Sequence, residues 1–203
     1  MATTTKIPLK LATIACALFA ISSGAFAQVQ IAKPKIEISI QKTPRFSVQG
    51  PKEQRDTQKH WLQCEVEFTA TERGGNQNEE YIEEIEFKYY ITVKPKAGVE
   101  RKVYTITVPH INIPKGDQVY SVVYMSPTTL GKIIGKSASP SKSDIDVAVE
   151  IRHKGALIAG DATKSPSSKW WTKMAQEDGK VLNKYETPFA PLWWDRYVEV
   201  KGR

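Results

Sequence analysis

Three histidines, His60, His110 and His153, are the side chains of this sequence best suited to acid–base chemistry or metal binding. They lie far apart in the chain, and none belongs to a paired arrangement such as His-x3-His or Cys-x2-Cys, which a zinc site uses. We therefore predict that each is a surface histidine or lies at the end of a strand.

The other patterns that support catalysis are also missing from the sequence. It has no Gly-x-Ser-x-Gly turn, no glycine loop that would hold a phosphate and no cysteine beside a histidine. Asp144 and Asp146 resemble a calcium ligand pair, but they lack further oxygen donors at regular spacing. Paired carboxylates of a glycosidase meet in space rather than in sequence, and nothing here points to them. The sequence predicts a protein that is not an enzyme and has no cofactor and no metal site.

Two pairs of adjacent tryptophans, Trp170-Trp171 and Trp193-Trp194, indicate a binding surface more clearly than the histidines indicate a catalytic or metal site. Consecutive residues of a strand point to opposite faces, so one of Trp193 and Trp194 is expected in the core. Exposed rings would form a surface that stacks on sugars or anchors a protein partner. Buried rings would close the protein core, and this second interpretation is favoured. All four tryptophans are candidate contacts for a ligand or partner.

The elements that position these residues are organised around two stretches, Lys59–Ala70 and Ile82–Lys94. Apolar and polar residues alternate in both, which is typical of strands with one buried and one wet face. Gly74 and Gly75 supply the reversal between them. The apolar positions are Leu62, Cys64, Val66 and Phe68 in the first stretch, and Ile85, Phe87, Tyr89, Ile91 and Val93 in the second.

The remaining patterns predict further short strands, joined by connections rich in proline and glycine. Residues 109–117 are predicted as a connection, residues 130–134 and 193–200 as strands, and residues 169–176 as a short helix near the C-terminal region. The fold class is therefore all-β, an immunoglobulin-like β-sandwich of about seven to nine antiparallel strands. The clearest further strands are Ile36–Ile40, Glu100–Val108, Gln118–Met125 and Ile145–Ile151.

Residues 1–27 resemble a signal peptide rather than part of the fold. Lys6 and Lys10 precede an apolar run, and Ala25-Phe26-Ala27 has the small-x-small form of a cleavage site. Lipidation at Cys16 and an uncleaved anchor are the alternatives. Cleavage leaves residues 28–203 as one domain without stable membrane insertion, exported to the periplasm, the cell surface or the medium. That domain keeps one cysteine, Cys64, which the alternation places in the core. A disulfide between chains is the alternative.

Charge is mildly basic and uneven along the chain. Cleavage would remove two of the 29 basic residues, so that 27 remain against 22 acidic ones. Residues 28–59 are rich in lysine and arginine, whereas residues 72–86 are rich in glutamate. This asymmetry suits an acidic partner or a second copy of the chain. Nucleic acid is not an expected partner, because the sequence has no concentrated basic motif.

The C-terminal run Tyr185–Tyr197 and the tripeptide Lys169-Trp170-Trp171, together with the leader, resemble a family of secreted pilus-like proteins from verrucomicrobial gut bacteria. That family is associated with a type IV pilus gene cluster. The resemblance implies an immunoglobulin-like fold, a surface or pilus-related role, and partners among pilus or cell-surface proteins. A true type IV pilin keeps its apolar helix after cleavage, whereas here the apolar segment precedes Ala27 and would be lost. The family supplies no site residues for this chain. A glycan-binding module or glycan hydrolase that uses exposed tryptophans is the alternative function.

The leader yields the first testable prediction. The protein exported by its native host should begin at Gln28, because cleavage follows Ala27. Intact-mass measurement on the exported protein checks this start. A mass that corresponds to a lipid-modified Cys16, or to a chain beginning at Met1, contradicts the prediction.

Overall fold

The computed structural model of the chain describes residues 28–46, 58–74, 78–136, 140–164 and 168–202, so the leader lies outside the described residues. They form two five-stranded sheets and one short α-helix, α1 (Pro127–Ile134). The first sheet contains β1 (Gln28–Ile31), β2 (Lys35–Lys42), β3 (His60–Arg73), β6 (Gln118–Met125) and β10 (Val181–Asn183). The second sheet contains β4 (Tyr81–Val93), β5 (Val103–Pro114), β7 (Ile145–His153), β8 (Ala156–Ala162) and β9 (Gln176–Asp178). None of the helices in this part of the chain has the length and apolarity needed to cross a membrane.

Strands β3 and β4 are the central strands of the two sheets. One edge of β3 pairs with β6, and its other edge pairs with β2 and then with β1. In the second sheet the order is β8-β7-β4-β5-β9. The pairings are antiparallel except for that of β5 with the short β9. The all-β sandwich predicted from the sequence is confirmed, with ten strands of which two have three residues.

The core lies between the sheets and is formed by the predicted apolar positions of β3 and β4. Phe68 of β3 packs on Phe87 of β4, with ring centroids 4.7 Å apart. Cys64 is completely buried as a free thiol, as predicted, and burial raises the pKa of that thiol far above its usual range. Tyr89 and Ile91 are likewise fully buried.

Several outward-facing residues of the central strands are buried, which corrects one expectation from the alternation. Gln63 and Glu65 of β3 are buried, and so are Tyr90 and Thr92 of β4. Each of these residues alternates with the apolar positions, so the sequence predicts that it faces water. Residues after 168 cover part of each outer face: Trp171 packs near Tyr90 of the second sheet, and Phe189 and Tyr197 pack near Tyr124 of the first.

Residues 127–134 form a helix, so the strand predicted around residues 130–134 is wrong. The hydroxyl of Ser126 accepts a hydrogen bond from the backbone N–H of Thr129, and Pro127 begins the helix. Leu130 and Ile133 bury one side of it against the core. Their spacing of three residues suits a helix, and this local capping overrides the strand preference of the neighbouring isoleucines and threonines.

Strand β5 continues through Pro109, where the sequence predicts a connection. The carbonyl of Pro109 accepts a hydrogen bond from the backbone N–H of Lys201. It therefore points away from β4, toward the C-terminal segment. In an antiparallel strand the N and C=O of one residue point to the same side. The missing N–H therefore removes no hydrogen bond between β4 and β5.

The predicted C-terminal helix and final strand are both replaced by tighter turns. In place of the helix predicted over residues 169–176, the chain forms the 3₁₀ turn Trp170–Thr172 and then enters β9 at Gln176, and residues 194–196 form another 3₁₀ turn. Beyond it, Tyr197 and Val200 make single bridges to Tyr120 and His110. The expectation that this C-terminal tract belongs to the fold is confirmed, since Phe189, Tyr197 and Val198 are buried.

The substitution Phe189→Ala tests whether the C-terminal tract stabilises the sandwich. Phe189 is 1% exposed, so its truncation should lower the free energy of unfolding by about 3–5 kcal/mol. Urea denaturation measures the change. Leu157→Ala is the control, because Leu157 is 53% exposed and should cost less than about 0.5 kcal/mol. Equal effects of the two substitutions would show that the tract does not stabilise the fold.

Candidate functional site

The exposed aromatic surface at the C-terminus is built on a stack of three rings that begins in the first sheet. Tyr124 of β6 stacks on Phe189 with ring centroids 4.7 Å apart and ring planes 5° apart. Phe189 in turn lies 6.4 Å from Trp193 with the planes 12° apart. Trp61 meets Phe189 edge-on at 5.8 Å. Tyr124 and Phe189 are buried, and they support the ring of Trp193, which is 49% exposed.

Trp194, which is 55% exposed, is supported by a different set of contacts. Its ring meets Tyr185 at 5.6 Å. The ammonium of Lys184 lies 5.3 Å from the centroid of the Trp194 ring and donates a hydrogen bond of 2.8 Å to the carbonyl of Ala190. Lys184 itself is buried, so its charge is held by a carbonyl and by aromatic faces in place of water.

An ion pair fixes the backbone that follows these two tryptophans. Arg196 donates hydrogen bonds of 2.7 and 3.3 Å to the two carboxylate oxygens of Glu65, and the Tyr197 hydroxyl donates a third of 2.7 Å. The Arg196 guanidinium also lies 3.7 Å from the ring centroid of Tyr120. Burial and the adjacent Glu65 carboxylate raise the pKa of Tyr197, and the same carboxylate raises the pKa of Arg196. The two exposed tryptophans are thus held on a rigid base.

Trp170 and Trp171 lie on the other outer face of the sandwich. Trp171 is buried against Tyr90 of β4, and its indole N–H donates a hydrogen bond of 3.3 Å to Glu150 of β7. Trp170 is half-buried and meets Trp171 edge-on at 5.6 Å. The structure therefore does not bring the four predicted contact residues together. Trp170 and Trp171 pack on the second sheet, and Trp193 and Trp194 are both accessible on the side of the first. The expectation that one of Trp193 and Trp194 lies in the core is therefore wrong, because they form the cap and the first residue of a 3₁₀ turn and do not lie in a strand.

A buried serine–histidine pair is a feature that the sequence did not predict. His110 is 2% exposed, so the prediction that all three histidines lie at the surface or at strand ends is wrong for this one. Its Nε2 lies 2.7 Å from the hydroxyl of Ser121, which also accepts a hydrogen bond of 2.7 Å from Tyr89. Its Nδ1 lies 3.1 Å from the carbonyl of Glu199. His110 follows Val108 by two residues and so lies on the same face of β5. Pro109 between them is typical of a connection, so the sequence does not indicate that the strand continues to His110.

The partners of His110 define its protonation. A carbonyl only accepts hydrogen bonds, so Nδ1 carries the proton and donates to Glu199. Nε2 then accepts from Ser121, whose oxygen accepts from Tyr89. Burial lowers the pKa of His110 from 6.5 to about 4, so the ring is neutral at physiological pH.

The pair resembles the serine and histidine of a hydrolase only in distance. Ser121 is fully buried and His110 nearly so, so no substrate reaches the hydroxyl. Tyr89 and His110 come from the second sheet and Ser121 from the first, so the chain of hydrogen bonds joins the two sheets through the core. We therefore assign it a structural role.

Acidic side chains do not build a second chemical site in this part of the molecule. Asp146, from the predicted calcium pair, forms ion pairs of 2.8 Å with Arg101 and with Lys164. Within the described ranges no three histidine, cysteine or carboxylate side chains group as metal ligands would. Asp146 is thus held by cations of the protein itself.

The fold is a β-sandwich whose outer faces are partly covered by the C-terminal chain, with an exposed pair of tryptophans at the surface. A protein-family model matches residues 22–203, and the chain belongs to that family. The crystal structure of a protein from Akkermansia muciniphila, a verrucomicrobial gut bacterium, is similar to this chain, with 25% identity and a TM-score of 0.78. The match covers 90% of this chain and 98% of the other. No curated protein matches the sequence.

The lowered pKa of the buried His110 should make the free energy of unfolding depend on pH. In the unfolded chain His110 has its ordinary pKa of 6.5, whereas in the folded protein its pKa is about 4. Between these two pH values the unfolded chain binds more protons than the folded protein, so the free energy of unfolding falls as the pH falls. The loss between pH 6.5 and 5 should be about 2 kcal/mol. Urea denaturation across this range measures it.

Two variants identify the group responsible. His110→Gln should remove most of the pH dependence above pH 5, although it lowers stability overall because a buried hydrogen bond is disturbed. His60→Gln is the matched control, since His60 is exposed and its loss should leave the dependence unchanged. A pH dependence that persists in His110→Gln would contradict the assignment.

Proposed function

We propose that the protein is an exported, non-enzymatic interaction module of the cell surface, pilus-like or associated with a type IV pilus, and that it binds a protein partner through Trp193 and Trp194. The observation that carries this proposal is the exposure of two adjacent tryptophans on a rigid base. Large exposed aromatic side chains are unusual on an isolated protein and are enriched where partners dock.

The rigidity of this surface favours binding. The stack through Phe189, the ion pair of Arg196 with Glu65 and the buried Lys184 all fix the backbone on either side of the tryptophans. A partner that covers the two rings would therefore gain apolar burial without the cost of ordering a loop. The Ser121–His110 pair offers no accessible nucleophile, because both residues are buried.

A glycan-binding module is the second candidate, and the exposed rings of Trp193 and Trp194 favour it. Rings that stack on a sugar need an accessible flat face, which about half exposure provides for each of them. Hydrolysis would in addition need two carboxylates at the site. The buried carboxylate of Glu65, whose partners Arg196 and Tyr197 follow the two tryptophans in the chain, is already held by those partners. This arrangement supports binding rather than hydrolysis.

The double substitution Trp193→Ala/Trp194→Ala tests the proposed surface. It should abolish binding of the purified protein to pili sheared from the native host, because both contact rings are removed. Trp170→Ala is the matched control, since Trp170 is half-buried on the other outer face and should leave binding intact. Co-sedimentation measures binding, and the melting temperature confirms that each variant folds.

The same variants separate the two candidate functions. Binding to a glycan array that disappears with the double substitution, without any binding to pili, would favour the glycan module. Unchanged binding to pili in the double variant would remove Trp193 and Trp194 from the proposed surface. Absence of the protein from the exported fraction of the native host would contradict a surface role.

A further inference from the structure

A groove rich in lysine opens at the end of the sandwich where β3 begins and β4 ends. It has a volume of about 840 Å³, within the range of about 300–1,000 Å³ typical of ligand sites. We call it the lysine groove and define it by Lys59, His60, Lys96, Lys132 and Lys136. These residues come from the start of β3, the turn between β4 and β5, and α1 with the segment that follows it.

The charge of the lysine groove is not compensated by the residues that the structure describes. All four lysines are exposed, and the described lining includes no carboxylate. None of the four forms an ion pair within the described ranges, whereas Lys102, Lys115, Lys164 and Lys201 elsewhere do. Cations that converge on one concave surface raise its positive potential and attract anions.

The backbone that carries these lysines is held by the core. Leu130 and Ile133 anchor α1, and Lys132 lies between them on the exposed side. The backbone N–H of Lys96 donates a hydrogen bond of 3.0 Å to the carbonyl of Ile133, which joins the β4–β5 turn to the helix. The backbone on this side of the lysine groove is therefore anchored to the core, and the lysine side chains extend from it into solvent.

We propose that the lysine groove binds an anionic polysaccharide whose sulfate or carboxylate groups pair with the lysine ammonium groups. Lysine acts as a point charge without the fixed geometry of arginine, so the groove suits repeated charges along a polymer. The half-buried rings of Pro127 and Pro140 offer apolar surface to the C–H faces of sugar rings. This site is independent of Trp193 and Trp194.

Other anionic partners fit the groove less well. A flat bilayer does not enter a concave surface. A second copy of the chain offers the acidic cluster Glu83, Glu84 and Glu86 at the opposite end of β4, but Arg152 and Lys154 line the same cavity and reduce its negative charge. The shape and the charge both favour a polymer chain.

The test measures binding of the full mature chain to dextran sulfate and to polygalacturonate, with unmodified dextran as the neutral probe. Binding to at least one charged polymer, weakened by salt, is expected, and dextran should not bind. The triple variant Lys96→Gln/Lys132→Gln/Lys136→Gln should bind about tenfold more weakly, since three exposed charge pairs are lost.

A matched variant removes the same charge elsewhere. Lys33→Gln/Lys35→Gln/Lys173→Gln alters exposed lysines outside the groove and should retain binding. Equal weakening by both triple variants would overturn the proposal, because the attraction would then depend on net charge alone. Failure to bind either charged polysaccharide would also overturn it. So would groove-dependent binding only to polyphosphate or to phosphatidylglycerol vesicles, which would assign the site to phosphate ligands.

Discussion

Burial of the Glu65 carboxylate is the constraint on which much of the structure depends. Glu65 lies on the outer face of the central strand β3, where a solvated charge would ordinarily need no partner. A carboxylate taken out of water is costly unless it is paired and hydrogen-bonded. Arg196 and Tyr197 supply three hydrogen bonds to it. The C-terminal segment can therefore cover the apolar residues around Glu65 without leaving a buried charge unpaired.

The same segment closes one edge of the sandwich. The backbone N–H of Val198 donates to Tyr120 of the first sheet, and the N–H groups of Ile111 and Lys201 link β5 of the second sheet to residues 199–201. Open strand edges invite association with other chains, and this segment occupies two of them. It also supplies the Glu199 carbonyl that orients His110. The cover of the first sheet and the hydrogen-bond chain inside the core thus depend on one stretch of the chain.

This arrangement explains why the candidate surfaces lie outside the two sheets. The space between the sheets is filled by side chains, and the Ser121–His110 pair found there is inaccessible. The surfaces proposed for binding are features that the covering segments and the helix expose. Trp193 and Trp194 project from the segment that packs on the first sheet, and the lysine groove opens at the end of the sandwich. Exposed surfaces on a packed sandwich support the proposal of an interaction module.

The sequence by itself determined the all-β class, the two central strands and the burial of Cys64, because alternation with period two is a local property of the chain. It also placed residues 193–200 in the folded domain, and Tyr197 and Val198 are buried there. Tertiary structure decided which tryptophans are exposed. Trp170 and Trp194 begin 3₁₀ turns rather than lying in strands, so the alternation rule does not apply to either pair.

Tertiary structure also decided which polar residues are buried. Glu65 and Gln63 have the spacing of solvent-facing residues, yet the chain that covers them arrives more than 100 residues later, with Arg196 131 positions from Glu65. His110 is buried because β5 continues through Pro109, whose missing N–H faces away from β4. Local alternation indicates which residues share a face of a strand. Whether that face is exposed to solvent is determined by the packing of segments distant in the sequence.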